Sequence, residues 1–239
     1  MIDHRLNFLY RLEFSESKLI EFPIEIDQSS TTLIPPDHLA PPYWANLEFE
    51  QCSNCTLRKE TTPFCPVATN LIPLLKLCSA IPSYETLKIE VITPERTISG
   101  KTTMQRALSS MLGLIMATSS CPHTEYLKPM ARFHLPLASE NETLYRTAST
   151  YLLAQYFRRK DGLEFSLELN HLSEIYENLK IINRALAKRF KVAIKEDATV
   201  NAIILLDLLS QAVSWSIEDD LEELKYLFEG YGVNQQPRH

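Results

Sequence analysis

The period of the apolar residues changes along this chain, and that change constrains the fold more than any bulk property. Phe8 to Phe14 reads Phe-Leu-Tyr-Arg-Leu-Glu-Phe, and Leu19 to Ile26 reads Leu-Ile-Glu-Phe-Pro-Ile-Glu-Ile. Near-alternation of this kind places one set of side chains on each face of a strand, and the polar break Ser15-Glu16-Ser17-Lys18 is the size of a turn, so the two runs predict a hairpin. Pro23 has no N–H to give to a ladder and belongs at an edge or a bulge. Asp27 to Pro42, rich in Ser, Thr and Pro, reads as a surface loop. Tyr43 to Glu50 alternates again and predicts a strand leading to Cys52. Thr86 to Ile92, a turn at Thr93-Pro94-Glu95 and a return over Arg96 to Thr102 predict a second hairpin.

Beyond that point the period is helical. Met104 to Thr118 is apolar on nearly every side toward its end, which marks a buried central helix. Lys128 to Pro136 reads as a segment crossing the surface. Ser139 and Glu142 make a capping-box signature for a helix with Leu144, Ala148, Tyr151, Leu152 and Gln155 on one face, closing at Arg158-Arg159-Lys160 and Gly162. A second helix, Leu172 to Phe190, carries a stripe of Leu172, Ile175, Leu179, Ile182, Leu186 and Phe190, with late bases Arg184, Lys188 and Arg189 that suit the helix dipole. Val200 to Val213 predicts a sandwiched third helix. A fourth starts from a Ser216/Asp219 cap, turns Ile217, Leu221, Leu224 and Phe228 inward, and ends near Gly230.

The expected class is therefore α+β: N-terminal antiparallel hairpins, a buried central helix and a C-terminal layer of about four helices. One integrated unit is expected over 1–239, with a β-rich lobe at 1–103, a helical lobe at 104–232 and a tail at 233–239. A chain of 239 residues with 45% apolar content can bury a large core. Thirty acidic against twenty-four basic residues give a net charge of −6, which argues against nucleic-acid or anionic-membrane partners. The N-terminus lacks the apolar block of a signal peptide, no run approaches a membrane span, and a cytoplasmic location is expected.

Against this scaffold stand five cysteines. Cys52-Ser53-Asn54-Cys55 is followed, after nine intervening residues, by Cys65-Pro66, and far downstream by Cys121-Pro122-His123. These four lie in polar or proline-containing segments, whereas Cys78 falls at helical spacing with Leu71, Leu74 and Leu75 and reads as a core residue. Two cysteines separated by two residues can grip one tetrahedral ion. Cys52, Cys55, Cys65 and Cys121 would complete a four-thiolate zinc site, with His123 as a supporting group, and His123 or His134 as an alternative ligand in place of one cysteine. An iron–sulfur cluster is the alternative, since a proline follows Cys65 and Cys121, although the compact ferredoxin run is missing. Redox thiols at Cys52 and Cys55 are a third possibility, but Thr56 to Pro63 makes a poor helix. Cysteines that hold no metal, in a plain interaction domain, are a fourth.

An enzyme reading would place His123, Arg132 and His134 in a pocket near the metal. No paired carboxylate or serine-nucleophile motif accompanies them, and His134, between Phe133 and Leu135, also suits a hydrogen-bonded interior. Gly100-Lys101-Thr102 lacks the earlier glycine of a phosphate-binding loop, Glu95 standing in its place. The leading expectation is a metal-binding regulatory or adaptor protein with a protein partner that the sequence does not identify.

Leu47-Glu48-Phe49-Glu50-Gln51-Cys52-Ser53-Asn54-Cys55, Cys65-Pro66, Arg106 to Gly113, Cys121-Pro122-His123 and Met130-Ala131-Arg132-Phe133-His134-Leu135-Pro136, taken as an ordered set, resemble an uncharacterised family of bacterial proteins. The resemblance spans most of the chain. It implies a bacterial, cytoplasmic protein forming one unit, and it supplies no reaction.

Overall fold

The computed structural model describes residues 4–14, 18–35, 40–78, 81–82, 84–193 and 221–233, with the side chains of 77–78 left aside. Strands β1 (Arg5–Phe14), β2 (Leu19–Asp27), β3 (Thr32–Leu33), β4 (Thr86–Ile92) and β5 (Thr97–Thr103) form one antiparallel sheet in the order β3-β2-β1-β4-β5. The alternation read from the sequence sorts the two faces. Leu6, Phe8, Tyr10, Leu12 and Phe14 of β1 are buried, as are Ile24 and Ile26 of β2 and Leu87, Ile89 and Val91 of β4. Their neighbours form a charged outer face, where Arg11 pairs with Glu21 at 2.6 Å and Lys88 with Glu90 at 2.9 Å. β3 pairs only with Ile26 and Asp27, so β2 has no outer ladder partner beside Pro23 among the described residues, and the missing N–H is accommodated there. Gly100, Lys101 and Thr102 lie within β5, laddered to β4, and make no phosphate-type loop.

Helix α1 (Pro66–Cys78) follows Cys65 directly, with proline at the first helical position, where a missing N–H costs least. Helix α2 (Met104–Ala117) leaves β5 without a loop: Thr103 is its N-cap and accepts from the Arg106 N–H. Met104, Leu108, Met111 and Leu112 of α2 are fully buried, and the helix packs on α1, β4 and β5.

Two local expectations are corrected. Tyr43 to Glu50 is not a strand: Tyr43–Ala45 is a 3-10 turn, and only Asn46 makes a bridge, to Phe64. Pro41 and Pro42 lead into that turn, with the Ala45 N–H donating to the Pro42 carbonyl at 2.9 Å, and Trp44 and Ala45 are buried side by side rather than alternating. The surface segment from Lys128 contains a short helix, α3 (Lys128–Arg132), with proline near its start.

The chain divides into two compact units, 1–137 with 178–208 and 138–177 with 209–239. The sheet, α1, α2 and α3 belong to the first unit, whereas the lobes read from the sequence separate at 103/104. Helix α5 (Asn170–Ala193) supplies residues to both units. In the second unit α4 (Glu140–Lys160) begins with the expected capping box of Ser139 and Glu142. Leu144, Ala148, Tyr151 and Gln155 are buried along it together with Thr147, whose hydroxyl lies 2.8 Å from the Tyr176 hydroxyl. Leu152, expected on that face, is 39% exposed. Residues 221–224 are helical and continue into a 3-10 stretch, Lys225–Tyr231, closed by Gly232 at φ 79°, two residues past the expected stop. The third helix, the Ser216/Asp219 cap and Ile217 lie outside the described residues.

The architecture is α+β, with an N-terminal antiparallel sheet and mostly C-terminal helices. Among the described residues no helix is long and apolar enough to cross a membrane.

Candidate metal centre

The segment carrying Cys52, Cys55 and Cys65 is closed at its base. The Asn46–Phe64 bridge is flanked by hydrogen bonds from the Leu47 N–H to Pro63 at 2.9 Å and from the Cys65 N–H to Ala45 at 2.8 Å. Within it the Cys55 N–H donates to the Cys52 carbonyl at 3.0 Å, the tight turn that a Cys-x-x-Cys pair needs to present both sulfurs on one side. Cys65 caps α1 through its backbone, its carbonyl accepting from the Thr69 N–H at 2.9 Å.

Cys121 arrives from the other direction. α2 ends at Ala117, and Ser120 takes φ 65°, which reverses the chain ahead of Pro122. Buried Thr124 locks the turn: its hydroxyl donates to the Met116 carbonyl at 2.7 Å and its N–H to Cys121 at 3.0 Å.

The four sulfurs sense one another. None is disulfide-bonded, and each cysteine is half-buried. The Cys52 thiol is pushed up to about 12, first by burial and then by Cys65, Cys55 and Cys121, while Arg189 acts in the opposite sense. Burial is also the largest influence raising Cys121, with Cys65 and Cys55 adding to it; the backbone N–H groups of His123 and Thr124 are directed at its sulfur and favour the thiolate. Three segments, two of them more than fifty residues apart in sequence, therefore bring their thiols into one electrostatic neighbourhood.

Among the described residues no three His, Cys, Asp or Glu side chains stand in an ion-holding arrangement. The donor set, four half-buried sulfurs, is of the type that suits a soft or borderline-soft ion.

His123 uses Nε2 on the Asn54 carbonyl, at 2.6 Å. That bond ties the Cys121 turn to the Cys52–Cys55 turn. Asn54 is held again through its side-chain amide, which donates to Asn178 Oδ1 of α5 at 2.8 Å. The two pocket candidates have other surroundings. His134 Nε2 lies 2.5 Å from the Tyr10 hydroxyl and 3.3 Å from Ser110 Oγ, with its ring edge-on to Phe8, so it knits α2 to the buried face of the sheet. Tyr10 is fully buried and its phenol is pushed well above the usual range by that burial. Arg132 stacks over the Phe133 ring, its guanidinium carbon 5.3 Å from the ring centre.

The sequence reading missed Arg189. Taken there as a late base suiting the helix dipole, it is 1% exposed and donates to the carbonyls of Trp44 at 2.6 Å, Asn46 at 2.8 Å and Leu47 at 3.0 Å. The signal was present: Arg189 stands seven residues after Ile182 and three after Leu186, on the stripe that the apolar residues define.

A family model described as "Domain of unknown function (DUF6901)" matches residues 8–229, and the chain belongs to that family. No curated protein and no solved structure matches the chain.

Proposed function

We propose that this member of the DUF6901 family is a metal-binding protein in which Cys52, Cys55, Cys65 and Cys121 hold one structural zinc ion, and that it serves a bacterial cytoplasm as a regulatory or adaptor protein. What supports the reading is that the 52–55 turn, the start of α1 and the turn after α2 carry four half-buried thiols within electrostatic range of one another, though not at ligation distance. Zinc bound there would supply a cross-link between the loop and the central helix, in a region with no disulfide of its own. His123 supports the centre by fixing the Asn54 carbonyl rather than by ligation. The Cys52 thiol, pushed up to about 12, is a poor nucleophile at neutral pH, which weighs against redox chemistry without a metal. Function then rests on contacts with a protein partner, on a surface whose shape the metal maintains.

The test is thermal unfolding with and without a strong chelator under reducing conditions. Zinc removal is expected to lower the midpoint by about 10 °C or more, since each kcal/mol corresponds to about 2–4 °C in a chain of this size. A midpoint that does not move on complete zinc removal would contradict a structural role.

A further inference from the structure

Helix α4 carries two apolar stripes, and packing within the second unit accounts for one of them. Leu144, Ala148, Tyr151 and Gln155 recur at spacings of four, three and four, and all are buried. One residue further along, on the solvent side, Tyr145, Ser149, Leu152 and Tyr156 repeat the same spacing; there Tyr145 is 46%, Leu152 39% and Tyr156 49% exposed. Leu153 and Phe157 stand exposed beside them. A helix apolar on two faces is ordinarily enclosed on both, and a contiguous exposed apolar patch marks an interaction surface. Rings continue the patch at either end: Tyr145 lies 6.5 Å from Phe228, which neighbours Tyr231, and Arg159 stacks over Tyr156 and Phe165.

The charges at the two ends of the exposed stripe identify its occupant. Glu142 and Arg159 extend the stripe by three residues on either side, so it runs 142, 145, 149, 152, 156, 159, the alternating three-four spacing of a coiled-coil seam. α4 is acidic where it starts, at Glu140 and Glu142, and basic where it stops, at Arg158, Arg159 and Lys160. Among the described residues Glu140, Arg159 and Lys160 form no ion pair. A second α4 laid antiparallel across the midpoint of the first sets Tyr145 opposite Tyr156, Ser149 opposite Leu152 and Glu142 opposite Arg159. Each pair then occurs twice, as a two-fold axis requires. Small Ser149 leaves room for Leu152, opposite charges close both ends, and the helix dipoles oppose. A parallel copy would instead set Arg159 against Arg159. With aromatic side chains at about 150–250 Å² each when fully buried, the exposed parts of the seam and of its end rings, over two copies, come to on the order of 1,000–1,500 Å². A specific interface of standard size needs about 1,200–2,000 Å².

We infer that this face of α4 is a self-association surface, on which a second copy of the chain docks its own α4 antiparallel to form a two-fold dimer. The seam is Tyr145, Ser149, Leu152 and Tyr156, and the Glu142–Arg159 pairs set its direction. The inference does not depend on the zinc reading.

The test is the mass of the full chain in solution by sedimentation, with reductant present so that disulfides between chains cannot mimic association. Wild type is expected at twice the 27.4 kDa of one chain, at a concentration of about 10 μM. Leu152→Glu, which puts a charge at the middle of the seam, is expected to be a folded monomer. Arg159→Glu sets carboxylates face to face at both ends and weakens the dimer about tenfold or more, and Glu142→Lys added to it restores the affinity to within about threefold of wild type. Should Leu152→Glu fail to fold, the Arg159→Glu loss and its rescue decide alone. A wild type that stays monomeric at about 100 μM overturns the inference and leaves the face to residues 194–220 of the same chain. A dimer that Leu152→Glu leaves intact places the interface elsewhere, and one that Arg159→Glu does not weaken refutes the antiparallel docking.

Discussion

Cys52→Ser and Cys121→Ser are each expected to purify with only a small fraction of the zinc content that the proposal assigns to the wild type, and the two losses are expected to match. A tetrahedral structural site has no spare ligand, and apparent binding free energies of structural zinc run to about 10–16 kcal/mol, so a missing thiolate removes most of the affinity. The match carries the information. Cys52 sits in a loop closed by the Asn46–Phe64 bridge and Cys121 in a turn after α2, so the two share a phenotype only if they share an ion. Cys78→Ser, in a residue read as core and outside the set, keeps its metal. Total metal per folded chain by elemental analysis checks all three. Full zinc content in either the Cys52 or the Cys121 variant would remove that cysteine from the centre.

Leu108→Ala is expected to destabilise the protein by about 2–5 kcal/mol, the range for a large-to-small change at a fully buried leucine. Leu108 has no exposed surface, and α2 is packed against α1 and the strands β4 and β5, so the cavity has little room to collapse. The same substitution should leave the zinc content of the folded protein unchanged, because Leu108 lies nine residues before the end of α2 and twelve before Ser120, where the chain turns toward Cys121. Urea unfolding monitored by circular dichroism gives the first quantity and elemental analysis the second. A cost below about 1 kcal/mol would mean that α2 is not the core element described here.

Both expectations show which parts of this protein local rules can reach. The strands were legible because one face of the sheet is wet: charged residues such as Arg11, Glu21, Lys88 and Glu90 alternate with buried ones, and a period of two survives in the sequence. α2 was legible from the opposite pattern, a run apolar on nearly every side toward its end. Tyr43 to Glu50 misled because a short 3-10 turn followed by a single bridge can mimic alternation over eight residues, and the two prolines ahead of it were the better guide.

At the candidate centre, the cysteines and the Cys-x-x-Cys turn were visible in the sequence. The convergence of the turn after α2 with the 52–55 turn was not, since it depends on Ser120 at positive φ and on the His123 bond to Asn54, which spans sixty-nine positions. Arg189 was hidden by its own chemistry. An arginine in the last turns of a helix normally answers the dipole from solvent, and only the apolar stripe around it, with carbonyls more than 140 positions away, reveals that this one is inside.

The most direct measurement is X-ray absorption at the metal edge, made on anaerobically purified full-length protein with its elemental composition. The account predicts about one zinc per chain in a shell of four sulfurs at about 2.3 Å, and no visible colour. Iron with sulfide and a brown absorbance would replace the structural zinc with a cluster. Protein that carries neither metal, and binds none when zinc is supplied under reducing conditions, would contradict the account at its centre.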